Sequence, residues 1–307
     1  MKRFGYLLVL AACQGRLPAA DVSFVQASAD RIDVSIKGKP FTSFHYETKW
    51  GKPFLHPIRT VSGDIVTRRW PVEEKTGEIE DHAWHRGIWW GHGDVNGVDF
   101  WRELGPTKSG RLIVAAKPLM KGNRLDVVCN FVAPDGKRHG SVLQQFSFGT
   151  RNGLNWVDVT LTIRADAGMG LTFGDTEDGG LGFRYSDDFR EARGATLRNV
   201  DGLTGTKAIW GKRAKWVDYA TAREGRRVGV ALLDHPSNPR YPTYWHARGY
   251  GLNAANPFGV RDFTKDKSQD GKLEVAAGGT VRFRYRIAVH EGGDPEMYWK
   301  EFAAAAK

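Results

Sequence analysis

The sequence predicts an all-β fold: a large antiparallel β-sandwich with one short helix at the C-terminus. Apolar and polar residues alternate in many short segments, glycine is abundant at 37 of 307 residues, and the only predicted helix is at the end. No fixed-period repeat or low-complexity linker divides the chain. Residues 21–307 are therefore expected to form a single domain, with two sheets around one core.

The clearest strands show strict period-two alternation. Apolar side chains occupy every second position in the segments Ile32–Ile36, Val157–Ile163 and Val281–Val289, with polar residues between them. This pattern predicts half-buried antiparallel strands. Pro134-Asp135-Gly136 separates two further apolar runs and predicts a hairpin.

The predicted helix occupies the last residues of the chain. Asp294 is a good N-cap, Pro295 suits the first turn, and Glu296–Ala306 consists mostly of helix formers. The polar segment Thr264–Gly271 is expected to be a surface loop.

Residues 1–20 are expected to be a lipoprotein signal and tether. Lys2 and Arg3 precede a short apolar run, and Leu10–Cys13 resembles a lipobox in which Cys13 becomes lipidated. An ordinary secretory peptide cut near Pro18–Ala20 is the alternative. Both interpretations predict export, and the first predicts anchoring in the bacterial envelope, at the periplasm or outer membrane. No stretch of about 18 apolar residues is present, so we expect membrane contact through the lipid anchor only.

Cysteine and charge content exclude several classes of protein. With Cys13 lipidated, Cys129 would be the only free cysteine, so an internal disulfide is excluded, and its apolar surroundings predict a small buried hydrophobe. The net charge of +10 raises the possibility of nucleic acid, but the basic residues are scattered and the chain is expected to be exported. Anionic lipids, polysaccharides or acidic sugars are the expected partners.

Three histidines lie in the polar and aromatic segment Asp81–Trp101. If Ile88–Asp94 is extended, His92 and Asp94 face one side, while Gly91 and Gly93 leave the other side open to close backbone approach. His82, His85 and His92 could bind a divalent metal ion, with Asp94 completing or orienting the set. The spacing is not specific for metal, and a metal-free catalytic cluster or structural histidines bonded to loop backbone are the alternatives.

Two more segments interrupt the strand pattern. In Asp234–Tyr250, three prolines stiffen a loop that would hold His235, Arg240 and His246 in fixed positions. In Gly174–Arg184, Glu177 or Asp178 could act as general acid or base if the site raises its pKa. Rigid turns and solvated carboxylates are the structural alternatives for these two segments.

Several motifs together resemble a family of exported bacterial proteins labelled PmoA. They are His56–Thr60, His85–Ile88, Gly91–Trp101, Glu177–Gly182, His235–Pro239, Tyr244–Arg248 and Asn256–Gly259. The resemblance extends over about residues 30–304. The label suggests a methane oxygenase, but this chain lacks the spanning helices of that membrane enzyme.

The resemblance implies a fold similar to the galactose mutarotase supersandwich, and a carbohydrate ligand. Members of the family accompany sugar oxidoreductases and isomerases in polysaccharide-degrading bacteria. Eleven tryptophans and nine tyrosines also offer flat apolar faces for sugar rings. Residues expected to bind the sugar are Arg86, Trp90, Arg248, Trp245, His56, Asn96 and Arg240.

We therefore expect an exported enzyme that cleaves a glycosidic bond, as a hydrolase or as a lyase on an oxidised keto-sugar. The expected catalytic residues are His92, His246, Glu177, Asp94 and His85, converging in one pocket although about 150 residues separate the two histidine segments. Arg86 or Arg248 would stabilise negative charge. The alternatives are a non-catalytic glycan-binding surface lipoprotein and a sugar epimerase or isomerase with or without a metal ion. The sequence predicts no oligomeric state.

Overall fold

Two large antiparallel sheets, of eight and nine strands, dominate the computed structural model, which describes residues 21–305. The predicted signal and Cys13 lie outside these residues. The eight-stranded sheet contains, in spatial order, β1 (Val22–Ser28), β2 (Arg31–Ile36), β3 (Lys39–His45), β4 (Phe54–Leu55), β5 (Ile88–His92), β12 (Gly179–Arg184), β17 (Leu252–Asn256) and β16 (Tyr244–Arg248).

The nine-stranded sheet contains β13 (Thr196–Asn199), β14 (Trp216–Arg223), β15 (Arg226–Asp234), β19 (Thr280–His290), β10 (Leu154–Ala165), β9 (Arg138–Arg151), β8 (Arg124–Val132) and β6 (Arg111–Val114) in spatial order, with β7 (Leu119–Lys121) also paired to β8. A small sheet pairs β11 (Leu171–Phe173) with β18 (Leu273–Val275).

The core lies between the inner faces of the two large sheets. Strand β10 buries Val157, Val159, Leu161 and Ile163, while the polar residues between them are half-buried. From the other sheet, Trp90 reaches across so that its ring lies 5.6 Å from that of Phe131 on β8. The alternation in the sequence is therefore confirmed as the basis of an antiparallel β-sandwich.

The C-terminal helix α3 (Pro295–Ala304) is also confirmed. The Asp294 carboxylate accepts a hydrogen bond from the Glu296 amide at 3.0 Å, which caps the first turn. Phe302 packs beside Trp216 on the outer face of the nine-stranded sheet, so α3 covers one end of that face. No helix among residues 21–305 has the length and apolar character needed to cross a membrane.

Four short helices were not predicted: the α-helices α1 (Thr206–Ile209) and α2 (Val260–Thr264), and two 3-10 helices at Asp187–Phe189 and Glu191–Arg193. Each has only one turn, which is too short to show a helical period in the sequence. Residues 265–271 contain neither helix nor strand, as expected for the predicted loop.

The predicted hairpin and the environment of Cys129 are both confirmed. The Gly136 amide donates to the Ala133 carbonyl at 2.9 Å, and its φ of 82° suits glycine in the turn between β8 and β9. Cys129 is fully buried, and burial raises the pKa of its thiol to about 12. The thiol is therefore a core side chain rather than a nucleophile.

Candidate functional site

The site lies on the outer face of the eight-stranded sheet, where a row of cross-strand partners runs from β4 to β16. In this row Phe54 pairs with Trp89, Trp89 with Gly182, Gly182 with Ala254, and Ala254 with His246. Paired residues of an antiparallel sheet point to the same side. The strand register therefore places Trp89 and His246 on one face, away from the core.

Small residues in the middle of this row make room for an aromatic ring. A Cβ added at Gly182 would lie 2.4 Å from Cζ2 of Trp89, so the indole lies over the glycine backbone. Ala254 adds only a methyl group to the same floor. A flat floor with aromatic and polar side chains at its two ends is the result.

A cleft with a volume of about 490 Å³ opens above this end of the sheet. Loops before β5, before β12 and after β16 supply most of its lining. The lining residues are His82, Trp84, His85, Arg102, Glu177, Asp178, Thr206, His246, Arg248, Gly249 and Tyr250. The volume suits a small ligand of one or two sugar rings.

Glu177, His246 and Arg248 form a closed ring of hydrogen bonds on one wall. Arg248 donates from Nη2 to Oε2 of Glu177 at 3.0 Å and from Nε to Nε2 of His246 at 2.9 Å. Nδ1 of His246 lies 2.7 Å from the Glu177 carbonyl oxygen. Because Nε2 accepts from arginine, Nδ1 must carry the proton and donate to that carbonyl.

This ring makes His246 a fixed neutral group. Burial, together with the charge of Arg248, lowers the pKa of His246 to about 3, although the bond to Glu177 opposes the shift. Its only lone pair in the ring plane already accepts from Arg248. His246 therefore orients Arg248, and the role of general base expected from the sequence does not suit this geometry.

Asp178 is the cleft group best suited to proton transfer near neutral pH. Burial raises the pKa of its carboxyl to about 6, and repulsion from Glu177 and Asp99 adds to the shift while Arg102 opposes it. Nε of Arg102 lies 3.7 Å from the carboxylate. A quarter of the Asp178 side chain stays exposed, so the carboxyl remains accessible from the cleft.

Asn256 and Asp262 hold the loop that carries both carboxylates. The Asn256 amide donates to the carbonyls of Thr176 and Glu177, each at 2.9 Å, and Asp262 accepts from the Glu177 amide at 2.9 Å. Asn256 lies at the end of β17, so the loop is tied to the sheet next to His246. This explains how residues far apart in sequence reach one wall.

A column of four stacked rings forms the opposite wall and continues beneath it. Tyr250 stacks on His82 at 5.3 Å, His82 on His85 at 5.0 Å, and His85 on Trp89 at 5.0 Å between ring centroids. His82 has a φ of 43° and a side chain that is 40% exposed. The upper rings of this column are available to an apolar sugar face.

His85 lies inside the column, between His82 and Trp89. Neither of its buried ring nitrogens has a hydrogen-bond partner among residues 21–305, and burial followed by the charge of Arg184 holds the pKa of His85 well below the usual value. The imidazole is therefore neutral. Buried polar groups normally have hydrogen-bond partners, so the structure gives no structural role for the two nitrogens of His85, which lines the cleft.

The structure thus brings together five of the residues predicted to form the site: His82, His85, Glu177, His246 and Arg248. His92 is not among them, because its side chain lies on the inner face of β5, opposite Trp89. Its ring packs 4.5 Å from that of Phe258, and Nε2 bonds the Gly174 carbonyl oxygen at 2.8 Å. The prediction that His92 and His246 share a pocket is therefore wrong for the side chain of His92.

Asp94 and Asn96 bind backbone near the small sheet instead of lining the cleft. Asp94 accepts from the Gly97 amide at 2.8 Å, which closes a tight turn. Asn96 accepts from the Thr172 amide at 2.7 Å and donates to the Gly170 carbonyl at 3.0 Å.

Trp90 and Trp245 are fully buried core residues. Trp90 contacts Phe131 and Phe173, and the Trp245 indole donates to the Ala214 carbonyl at 2.8 Å. Neither presents a ring face to the cleft, so the expected stacking on sugar does not fit them.

Arg86, His56 and Arg240 also lie away from the cleft lining. Arg86 is buried, pairs with Glu103 and lies over the Trp50 ring at 4.5 Å. His56 is fully buried, with Nε2 3.7 Å from a Glu73 carboxylate oxygen. Arg240 donates to loop carbonyls, including that of Lys272 at 2.6 Å.

The histidines considered for metal binding do not converge. His82 and His85 lie face to face with an interplanar angle of 3°, and His92 is on the other side of the sheet. Within the described residues, no three His, Cys, Asp or Glu side chains are placed to hold a metal ion. The trio predicted from the sequence therefore does not fit a metal.

Tyr250 and Arg102 line the cleft but were not predicted, and Asp178 was predicted only as an alternative to Glu177. Tyr250 follows His246 and Arg248 at intervals of two residues, which was a usable signal that all three share a face. Arg102 follows the motif segment directly and gave no comparable pattern.

Comparison with known proteins identifies a family for the chain. A model described as a family of unknown function, DUF6807, matches residues 31–302, which covers every strand of the two large sheets except β1 and every residue of the cleft lining. No curated protein matches the chain. The chain therefore belongs to the DUF6807 family of unknown function.

Proposed function

We propose that the protein is a carbohydrate-active enzyme that cleaves a glycosidic bond in this cleft. The observation that carries the proposal is Asp178, an accessible carboxyl whose pKa is raised to about 6 beside the Glu177–Arg248 ion pair. Enzymes that cleave glycosides commonly use two carboxyl groups in different environments, one as the general acid and the other as the base or nucleophile. Aromatic rings on the facing wall suit the apolar face of a sugar.

Asp178 is the proposed proton-transfer group. With a pKa near 6 it donates a proton to a leaving oxygen in slightly acid solution and accepts one when ionised. Glu177 is held as a partner of Arg248, and the guanidinium is fixed by His246. That guanidinium stabilises negative charge that develops on the substrate.

Hydrolysis and elimination are both compatible with this set of groups. In hydrolysis, water adds across the broken C–O bond while Asp178 protonates the leaving oxygen. In elimination from a keto-sugar, a base removes the proton next to the carbonyl, Arg248 stabilises the enolate oxygen, and the leaving oxygen departs with a proton. Only elimination leaves a carbon–carbon double bond in the product, so ultraviolet absorbance of the product separates the two reactions.

Export and lipidation at Cys13 are part of the proposal on the strength of the sequence. Leu10–Cys13 is the supporting motif. An exported enzyme of this kind would meet polysaccharide fragments outside the cytoplasm.

The test is a screen of glycosides and their keto derivatives with the wild type and the Asp178→Asn variant. We expect Asp178→Asn to lower kcat/KM by about 10²–10⁴-fold while sugar binding persists. The wild-type profile of kcat/KM against pH should show a limb near pH 6, which the variant lacks. Asp166→Asn, at a half-buried carboxylate paired with Arg138 and outside the cleft lining, is the matched control and should keep full activity.

A non-catalytic glycan-binding protein is the second candidate. Its support is that His246 has both nitrogens occupied and that His85 is held neutral, which leaves few groups for acid–base work. Saturable binding of a glycan without any turnover across the screen would favour this candidate. Full activity in Asp178→Asn would contradict the proposed mechanism.

A further inference from the structure

The outer face of the nine-stranded sheet is covered by α3 at one end only. Beneath α3 lie Trp216, Ala231 and Ala288, which form a small apolar cluster with Phe302. The other end, on β8, β9, β10 and β19, carries no covering element among residues 21–305. We refer to this part as the bare face, defined by Leu119, Val128, Leu143, Arg164, Arg282 and Arg284.

Strand register places these side chains side by side. Val128 pairs with Leu143, Leu143 with Thr162, and Thr162 with Arg282, so the four form one row across four strands. At about 4.8 Å per strand the row is about 14 Å long. Arg284 and Arg164 lie two residues along their strands on either side of this row, on the same side of the sheet.

The bare face carries an excess of positive charge. In the described part of the chain, Arg164, Arg282 and Arg284 have no carboxylate within 4 Å, whereas Asp126 and Asp158 on the same side are paired with Arg124 and Arg286. The acids of this face are therefore already neutralised. Three guanidinium groups remain to attract an anionic partner.

Apolar side chains are exposed beside these cations. Leu119 is 69% exposed and Val128 is 41% exposed, and Leu119 pairs with Asp126 across β7 and β8, which places it on the bare face. Met120 on the same hairpin is also exposed, and Lys117 and Lys121 flank it. Exposed apolar groups ringed by cations are typical of surfaces that enter the headgroup region of a bilayer.

We propose that the bare face docks on an anionic lipid bilayer, with Leu119 and Val128 entering the interface and the three arginines contacting headgroups. A second copy of the chain fits less well, because a twofold contact through this face would bring arginines against arginines. A soluble polyanion would use the arginines but would gain nothing from the exposed leucine and valine.

Docking through the bare face would determine which way the cleft points. The cleft lies on the outer face of the eight-stranded sheet, on the opposite side of the sandwich from the bare face. A protein docked in this way directs the cleft away from the membrane. The contact would act together with the lipid anchor expected at Cys13 and does not depend on the enzymatic proposal.

The test uses the full chain produced in a cell-free system without lipid-modifying enzymes, so that no anchor contributes. Its sedimentation is measured with vesicles of phosphatidylglycerol and phosphatidylethanolamine in about equal parts, and with phosphatidylcholine vesicles. We expect binding to the anionic vesicles only. The double variant Arg164→Glu/Arg282→Glu should lower the apparent affinity about tenfold or more, and Leu119→Ser/Val128→Ser should lower it several-fold.

Lys37→Glu/Lys39→Glu is the matched control, because it makes the same change in net charge at two exposed positions, in the turn after β2 and at the start of β3. Circular dichroism before sedimentation verifies that each variant is folded, and Arg282→Gln provides a milder substitution. The proposal is overturned if the control loses as much affinity as the arginine variant, or if the wild type does not bind anionic vesicles. It is also overturned if the serine variant binds normally while heparin competes for the protein, since a polyanion site is then the correct interpretation.

Discussion

The two faces of the eight-stranded sheet use the same kinds of residue for different purposes. On the inner face, Trp90 and His92 are packed in the core, and His92 bonds a backbone carbonyl. On the outer face, His246 lines a cleft and bonds a charged arginine, while Trp89 lies beneath the cleft at the base of the stacked rings. Residue type alone therefore does not identify a site, because the side of the strand decides whether a histidine packs in the core or lines the cleft.

Alanine substitution of the two histidines tests this comparison most strongly. His92→Ala removes a fully buried ring and leaves the Gly174 carbonyl without its partner, so we expect the free energy of unfolding to fall by about 2–4 kcal/mol. His246→Ala should cost less, about 1–2 kcal/mol, because the space it leaves opens to the cleft. Urea denaturation of both variants measures the two values.

The loss of activity should be larger in His246→Ala than in His92→Ala, which is the reverse of the order expected for stability. Loss of His246 frees Arg248 from one of its two anchors, so kcat on any substrate found should fall at least about tenfold. The folded fraction of His92→Ala should retain turnover close to wild type. Equal losses of activity in both variants would show that the inner face also contributes to the reaction.

Acid stability gives a second test with a smaller expected effect. The pKa of His92 is lowered to about 4 and that of His246 to about 3, chiefly by burial, from a usual value of 6.5. Below pH 6.5 the unfolded chain therefore takes up protons that the folded chain does not. Each histidine should lower the free energy of unfolding by up to about 1.4 kcal/mol per pH unit as the pH falls toward 4.

Glutamine variants separate the two contributions. His92→Gln and His246→Gln should each reduce the slope of unfolding free energy against pH between 4 and 6.5, as measured by urea denaturation at several pH values. Stability should thus depend on both faces, although activity depends on one. An unchanged slope in either variant would mean that this histidine is protonated in the folded protein.

The sequence predicts the strands of this sheet and their buried sides, but not which strands are neighbours. Alternation over many residues, as in β10 and β19, reveals both the strands and their buried side. Within β5 it places Ile88, Trp90 and His92 on one side, and two large apolar neighbours in phase with His92 already indicated the core. The pattern within β5 thus favours a core position for His92 over a pocket shared with His246.

The order of the strands in the sheet cannot be predicted from the local sequence pattern. Glu177 reaches His246 because β12 lies next to β17 and β17 next to β16, and Asn256 then ties the loop down. Nothing in the local pattern of these strands states that order, since it results from the packing of the whole sandwich. The raised pKa of Asp178 likewise depends on burial by residues from several loops, so the sequence could name the carboxyl but not its environment.

The smallest expected effect concerns His85, where the outer face meets the interior. His85→Phe keeps an aromatic ring between His82 and Trp89 and removes two buried nitrogens that have no hydrogen-bond partner in the described part of the chain. Replacing unsatisfied polar atoms by apolar ones is neutral or stabilising, so we expect the free energy of unfolding to rise by up to about 1 kcal/mol. Thermal melts of the variant and the wild type measure this change, and turnover should fall if these nitrogens bind substrate hydroxyls. A clear loss of stability would instead show that ordered water satisfies both nitrogens, and His85 would then belong with His92 as a structural histidine.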